Sequence, residues 1–323
     1  MVYAIFCLGL LGVIASFGLG VASKVFAVET DPKIEEVNEA LPQANCGGCG
    51  FAGCINFAEA VVKGEAEPNG CVAADEATIV NVAKILGKTV SIGVRKVAFV
   101  KCKGSKDIVV KKFEYNGFND CRGAQIIGGG YKGCSYGCFG LGTCEKVCPF
   151  DAIKIDESGL PVVDETKCTG CGNCVKVCPR NLIELVPVNK KVRILCSSKE
   201  TGAKVKKVCS AGCISCGKCE RVCPVNAIKV VDNIAVIDFN KCINCGLCSK
   251  NCPVGVIVDF NDKDKPKSMI DKDKCIGCGK CKKVCPVNAI SGNLKEVHVV
   301  NREKCLGCGL CKQNCPKEAI TLQ

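Results

Sequence analysis

The sequence predicts an α+β chain in three kinds of part. One N-terminal transmembrane helix comes first, then a small helical domain, then three modules of short strands and short helices. Three observations predict this. Residues 2–22 carry no charge. Residues 46–71 set four cysteines among helix-forming stretches. From residue 133 onward a cysteine run recurs in pairs.

A regular copy of the run is Cys242-Ile-Asn-Cys245-Gly-Leu-Cys248-Ser-Lys-Asn-Cys252-Pro253. Its pattern, C-x2-C-x2-C-x3-C-P, recurs at Cys168, Cys171, Cys174, Cys178 and at Cys213, Cys216, Cys219, Cys223. It recurs again at Cys275, Cys278, Cys281, Cys285 and at Cys305, Cys308, Cys311, Cys315. A looser copy is Cys134, Cys138, Cys144, Cys148. This is the run that wraps a 4Fe–4S cubane: three thiolates hold one cluster, and the fourth ligates the other cluster of a two-cluster module. One C-x2-C alone reads equally well as zinc or a disulfide; six full copies do not. Six copies make three two-cluster ferredoxin-like modules.

The chain has 323 residues, 33 Cys, no Trp and one His. Cysteines two or three apart in rows are poorly placed to bridge one another. Thiolates on iron need a reducing compartment, so the cysteines are expected on the cytoplasmic side. The near absence of His argues against haem, copper and catalytic zinc. The formal charge is +12. Each oxidised four-thiolate cubane carries about −2, so eight would contribute about −16. Much of the basic excess is therefore counter-charge, and no nucleic-acid binding is expected.

Taken in order, residues 1–28 read as the anchor. Val2–Ala22 is 21 residues of apolar or small side chains, enough to span a bilayer. Neither a basic n-region nor a cleavage site is clear. The stop at Lys24 puts the N-terminus outside and the body inside. A buried core helix is the competing reading. Gly12, Ser16 and Gly20 fall on one face, a stripe that lets another helix approach. Cys7 reads as an apolar filler.

Residues 30–90 read as a helical 4Fe–4S domain. Cys46, Cys49, Cys54 and Cys71 suit one cluster. Helices are expected from Ile55 to Val62, with Cys54 at the start, and from Asp75 to Leu86, with Gly87 as the stop. Gly48–Gly53 matches G-x-G-x-x-G, but no strand precedes it, so a dinucleotide site is rejected. From Thr30 to Lys88 there are four Lys/Arg against nine Asp/Glu.

Residues 91–132 and 189–210 read as connecting segments with extra ligands. Strand-like runs are Val97–Val100 and Ile108–Val110. Modules are expected at 133–188, 211–260 and 268–323, with a polar linker at Asn261–Lys267. After each C-P an Ile recurs (Ile153, Ile183, Ile228, Ile257, Ile290, Ile320), placed to seal a cluster from water. Cross-ligation groups Cys134, Cys138, Cys144 with Cys178, and Cys168, Cys171, Cys174 with Cys148. It groups Cys213, Cys216, Cys219 with Cys252, and Cys242, Cys245, Cys248 with Cys223. In the third module it groups Cys275, Cys278, Cys281 with Cys315, and Cys305, Cys308, Cys311 with Cys285. Cys102, Cys121, Cys196 and Cys209 are left over. They make an eighth set, or else four unrelated buried thiols.

The order of parts resembles the iron–sulfur B subunits of the Rnf complexes. The resemblance rests on the helix, on Asn45-Cys-Gly-Gly-Cys-Gly-Phe-Ala-Gly-Cys54, on Cys102 and Cys121, and on Gly133-Cys-Ser-Tyr-Gly-Cys-Phe-Gly-Leu-Gly142. It covers residues 1 to about 260; the third module extends the pattern. The resemblance implies an iron–sulfur relay subunit in the cytoplasmic (inner) membrane, single-pass, with its body on the cytoplasmic side. Its expected partners are soluble ferredoxin and the other membrane and flavin/NAD subunits of an ion-translocating ferredoxin:NAD oxidoreductase. No nucleophile–base pair or P-loop is present, so no substrate-transforming site is expected in this chain. A soluble polyferredoxin, a reductant of a redox-sensing regulator and a zinc scaffold are the competing readings.

Overall fold

The computed structural model describes residues 2–25, 31–262 and 264–323. It divides into two units, Met1–Ser91 and Ile92–Gln323.

The first unit is helical. Helix α1 (Val2–Val25) exposes Leu10, Leu11, Val13, Ile14, Phe17 and Leu19. Among the described residues no helix is long and apolar enough to cross a membrane. The expected end of the anchor at residue 28 and the side chain of Cys7 lie outside the described residues.

Helix α2 (Pro32–Ala40) starts at Asp31, whose carboxylate accepts the Lys33 N–H at 2.9 Å, with Pro32 on the first turn. The sequence reading lacked this helix. Helix α3 (Cys54–Lys63) ends at Gly64, in the left-handed region at φ 80°. Helix α4 (Glu76–Ile85) is capped by Asp75, whose Oδ1 accepts the Thr78 N–H at 2.8 Å. Val37, Leu41, Phe57, Ala58, Val61 and Val82 form the core between them.

The second unit repeats one plan three times. An outer antiparallel pair joins the first and last strands of a module, and an inner hairpin lies between its two cysteine runs. In the first module β1 (Lys96–Val100) pairs with β4 (Ile183–Pro187) around the hairpin β2 (Ile153–Ile155) and β3 (Pro161–Val163). In the second, β5 (Val192–Ile194) pairs with β8 (Ile257–Asp259) around β6 (Ile228–Val231) and β7 (Ile234–Ile237). In the third, β9 (Ser268–Ile270) pairs with β12 (Ile320–Leu322) around β10 (Ile290–Ser291) and β11 (Val299–Val300).

Strands β1 and β5 therefore fall in the segments read as connectors. Each is followed by an insertion before its first run. The first insertion carries helix α5 (Cys121–Ile126) and the second carries α8 (Gly202–Val208). Ile108–Val110 makes no strand; Val109 forms one isolated bridge, to Cys209. Lys265 and Lys267, read as linker, are held in place: Lys265 pairs with Asp259 at the end of β8, and Lys267 exchanges backbone hydrogen bonds with Gln323.

Candidate metal centres

Each cysteine run folds alike. The third cysteine sits in a helix of four or five residues: α6 (Thr143–Lys146), α7 (Asn173–Val177), α9 (Lys218–Arg221), α10 (Leu247–Lys250), α11 (Lys280–Lys283) and α12 (Leu310–Gln313). The residue before each helix is a glycine with φ between 68° and 81°, where a Cβ would be strained. Beyond the fourth cysteine the chain turns back. There the N–H of Ala152 donates to Cys148 Sγ at 3.4 Å, Leu182 to Cys178 at 3.4 Å, and Ala227 to Cys223 at 3.2 Å. Ala289 and Ala319 do the same to Cys285 and Cys315. The next residue is the recurring Ile, buried in all six copies. The turn thus aims a donor at sulfur and lays an apolar side chain beside it, which stabilises a thiolate and excludes water.

Among the described residues, five cavities are each walled by four cysteines. Cys46, Cys49, Cys54 and Cys71 line one, with Phe57 behind them. Asn45 Oδ1 accepts the Cys54 N–H at 2.8 Å and so ties the loop to the start of α3. Cys148, Cys168, Cys171 and Cys174 line the second. The two cavities of the third module are lined by Cys275, Cys278, Cys281, Cys315 and by Cys285, Cys305, Cys308, Cys311. In the second module Cys219 lies near Cys213, Cys216 and Cys252, and Cys248 near Cys245, Cys242 and Cys223.

The remaining cavity differs from the expected grouping. It is lined by Cys121, Cys138, Cys144 and Cys178; Cys134 is not among them. The physical reason is register. Cys138 and Cys144 stand six apart, as Cys168 and Cys174 do, and Gly142 matches Gly172 ahead of its helix. Cys138 therefore occupies the first position of the run, and Leu141 stands where the second cysteine belongs. Cys121, at the start of α5, fills that corner. Asp120 caps α5 through the N–H groups of Arg122 and Gly123, and the Cys121 N–H donates to Thr143 Oγ1 at 2.7 Å. The expected eighth set of Cys102, Cys121, Cys196 and Cys209 accordingly loses Cys121. Cys134 instead packs beside Cys209.

Among the described residues no three Cys, His, Asp or Glu side chains gather to clasp a single metal ion. The donor chemistry suits iron–sulfur: soft thiolates in fours, with N–H groups aimed at sulfur. Without a metal these thiols hold their protons. Burial pushes Cys144, Cys174 and Cys248 up to about 12 and Cys219 up to about 11, and repulsion among neighbouring sulfurs adds to it. Metal binding must therefore expel protons.

Basic side chains sit over the loops, which the sequence reading anticipated only as bulk counter-charge. Arg95, Lys190 and Lys267 each precede the first strand of a module. They donate to the carbonyls of Cys168 (3.2 Å), Cys242 (2.6 Å) and Cys305 (2.7 Å). Burial raises Cys305, but the Ser268 and Gly307 N–H groups, the Ser268 hydroxyl and Lys267 lower it by more. Arg180 lies 4.2 Å over the Phe139 ring. It donates to the carbonyls of Cys134 (2.6 Å) and Gly137 (3.3 Å), pinning the loop before Cys138.

Models described as "4Fe-4S dicluster domain" match residues 135–185, 167–227, 212–256, 241–290 and 268–322, and one described as "Putative Fe-S cluster" matches 41–73. The chain is 49% identical over 230 residues to the B subunit of the "Proton-translocating ferredoxin:NAD(+) oxidoreductase complex" of Clostridium ljungdahlii, covering 71% of this chain and 81% of that one. The chain belongs to the family of Rnf-complex B subunits. To the B subunit of the "Na(+)-translocating ferredoxin:NAD(+) oxidoreductase complex" of Acetobacterium woodii it is 44% identical, over 72% of this chain and 70% of that one. To the B subunit of the "Ion-translocating oxidoreductase complex" of Methanosarcina acetivorans it is 41% identical, over 72% and 88%. This Rnf B subunit carries its cysteine runs as multiple dicluster domains.

Proposed function

We propose that this subunit relays electrons between soluble ferredoxin and the membrane carriers of an ion-translocating ferredoxin:NAD oxidoreductase. The observation that carries the reading is the series of four-cysteine sets in one chain, six of them drawn from runs that fold alike. A 4Fe–4S cluster, when bound, takes up and gives back one electron. The chain's own residues do the rest. Seven sets of four cysteines hold the clusters: the N-terminal domain's, and two in each module. The recurring Ile residues keep water away. The N–H groups on Cys148, Cys178, Cys223, Cys285 and Cys315, and the cations Arg95, Lys190 and Lys267, favour the more negative, reduced state. An eighth set brings the count to eight.

Helix α1 is the single membrane anchor in this reading, with the cysteine body on the cytoplasmic side and the flavin/NAD and membrane subunits as partners. Chain purified anaerobically from the membrane fraction should be brown, hold about 32 iron atoms and be bleached by reduced ferredoxin. Colourless protein holding zinc would overturn the relay. Brown protein in the soluble fraction would leave the relay and remove the anchor.

A further inference from the structure

Besides Cys7 in α1, four cysteines stay outside the seven sets: Cys102, Cys134, Cys196 and Cys209. Their placement repeats between the first two modules. Cys102 lies two residues past β1, and Cys196 two past β5. Cys134 lies four residues before Cys138, and Cys209 four before Cys213. The hydrogen bonds repeat as well. Gly104 N–H donates to Cys102 Sγ at 3.4 Å, and Ser198 N–H to Cys196 Sγ at 3.5 Å. Cys138 N–H donates to Cys102 Sγ at 3.4 Å, and Cys213 N–H to Cys196 Sγ at 3.4 Å. Each module thus presents the same pair in the same way.

The two pairs meet. Val109 bridges to Cys209, and Val110 N–H donates to Val208 O at 3.0 Å. Val109, Cys209, Ala211 and Cys134 pack together. A Cβ on Gly104 would lie 2.5 Å from Val109 Cγ2, 3.5 Å from Cys102 Sγ and 3.7 Å from Cys209 Sγ, so this glycine lets Val109 pack close while both sulfurs stay beside it. Burial raises the thiols of Cys134, Cys196 and Cys209. Repulsion adds to it: Cys134 feels Cys102 and Cys209, Cys196 feels Cys134, and Cys209 feels Cys102 and Cys196.

We infer that Cys102, Cys134, Cys196 and Cys209 hold a further 4Fe–4S cluster on a local two-fold between the first and second modules, each module giving two ligands. This rests on the iron–sulfur reading above. The site is the junction of the two modules, since the first cysteine of each flanking run donates its N–H to one of the junction's sulfurs. Electrons crossing between modules are handed on one at a time, one site oxidised as the next is reduced, with no bond made or broken. The third module has no counterpart: Lys272 stands two residues past β9, and Asp271 four before Cys275.

The test counts iron and reduced-state spins in the full chain, purified anaerobically. Cys102→Ala and Cys196→Ala should each lose about four irons, and the double variant the same four, because both serve one cluster. Cys102→Ala with Cys121→Ala should lose about eight. Gly104→Val, which collides with Val109 where it packs on Cys209 and removes no ligand, should lose the same four as Cys102→Ala. Additive loss in the first double variant overturns the ligand set. Loss of far more than four irons in Cys102→Ala and Gly104→Val alike overturns a self-contained site. If Cys216→Ala loses iron while neither Cys102→Ala nor Cys196→Ala does, the junction is wrong and the relay stands. If Cys216→Ala also keeps all its iron, the iron–sulfur reading itself fails.

Discussion

Replacing Arg193 should loosen the seam between the first and second modules. Arg193 is 2% exposed, in β5. Its Nη1 donates to Glu165 Oε1 at 2.7 Å and its Nε to Lys190 O at 2.9 Å. Its guanidinium lies 5.1 Å from the Phe99 ring and 5.7 Å from the Phe260 ring. Removing one partner of a buried pair costs about 3–5 kcal/mol. Glu165 is a quarter exposed and keeps Lys191, which brings that to about 2 kcal/mol. The lost ring contacts add about 1 kcal/mol. Arg193→Ala should therefore cost about 3 kcal/mol, roughly a 150-fold rise in local opening. Hydrogen exchange at β5 and β8 reads this directly. The exposed pair Lys199–Asp232 is the control, and Lys199→Ala should change exchange less than about threefold. Burial raises the Glu165 carboxyl, but Lys191 and Arg193 together hold it below its ordinary value. Its contribution is then complete above the unfolded carboxylate pKa and fades as pH falls through the folded one. The gap between wild type and variant should narrow in that acid window. A change under fivefold in Arg193→Ala, or one equal to Lys199→Ala, refutes the reasoning.

Other outcomes follow from the site. Asp120→Ala should weaken α5 by about 1 kcal/mol and speed loss of the iron held by Cys121, while Asp120→Asn, which still caps, should not; iron release under chelator measures both. A chain starting at residue 28 should keep its iron yet fail to co-purify with membrane partners, as pull-down against the membrane fraction would show. Residues 186–250 carry 12 Lys/Arg against four Asp/Glu, and residues 259–323 carry 13 against eight. An acidic ferredoxin should therefore dock on the second or third module. Reversing exposed Lys204, Lys206 and Lys207, or Lys280, Lys282 and Lys283, to Glu should slow reduction by ferredoxin at low salt with no loss of iron.

Much of the site was legible because the run is local. Its spacing dictates a loop, a short helix and a turn, and the recurring Ile follows at fixed distance. The helices bearing Cys54 and capped by Asp75 were legible for the same reason. What escaped was whatever depends on distant chain. The pairing of β1 with β4 joins residues more than eighty apart, so the first strand of a module read as connector. The placing of Cys134 escaped differently. Cysteine spacing alone puts Cys134 first in its run, whereas the left-handed glycine before each helix carries the register. Aligned on Gly142 and Gly172, Leu141 replaces a cysteine, and Cys134 falls outside. Arg193 and Glu165 carry no local signal, since their partners are set only when two modules meet.

The third module should be the first to melt when iron is removed. Its buried cluster is Cys281, Ile290, Cys311 and Ile320, two aliphatic side chains and two cysteines. The first module buries Val97, Phe99, Val100, Ile153, Ile183 and Val186. At about 1.5–3 kcal/mol per buried side chain, the two isoleucines supply roughly 3–6 kcal/mol and the six supply roughly 9–18. Ordering a module's backbone costs far more than the smaller figure, so the third module relies on metal in the way small metal domains do. Chelation or oxidative loss of iron should open it while the first module still holds. Limited proteolysis of partly depleted chain should then cut within residues 268–323 and leave a fragment ending near the polar stretch 261–267. Cleavage that begins instead between β1 and β4, with the third module intact, would show that the apolar cores do not set the order of loss.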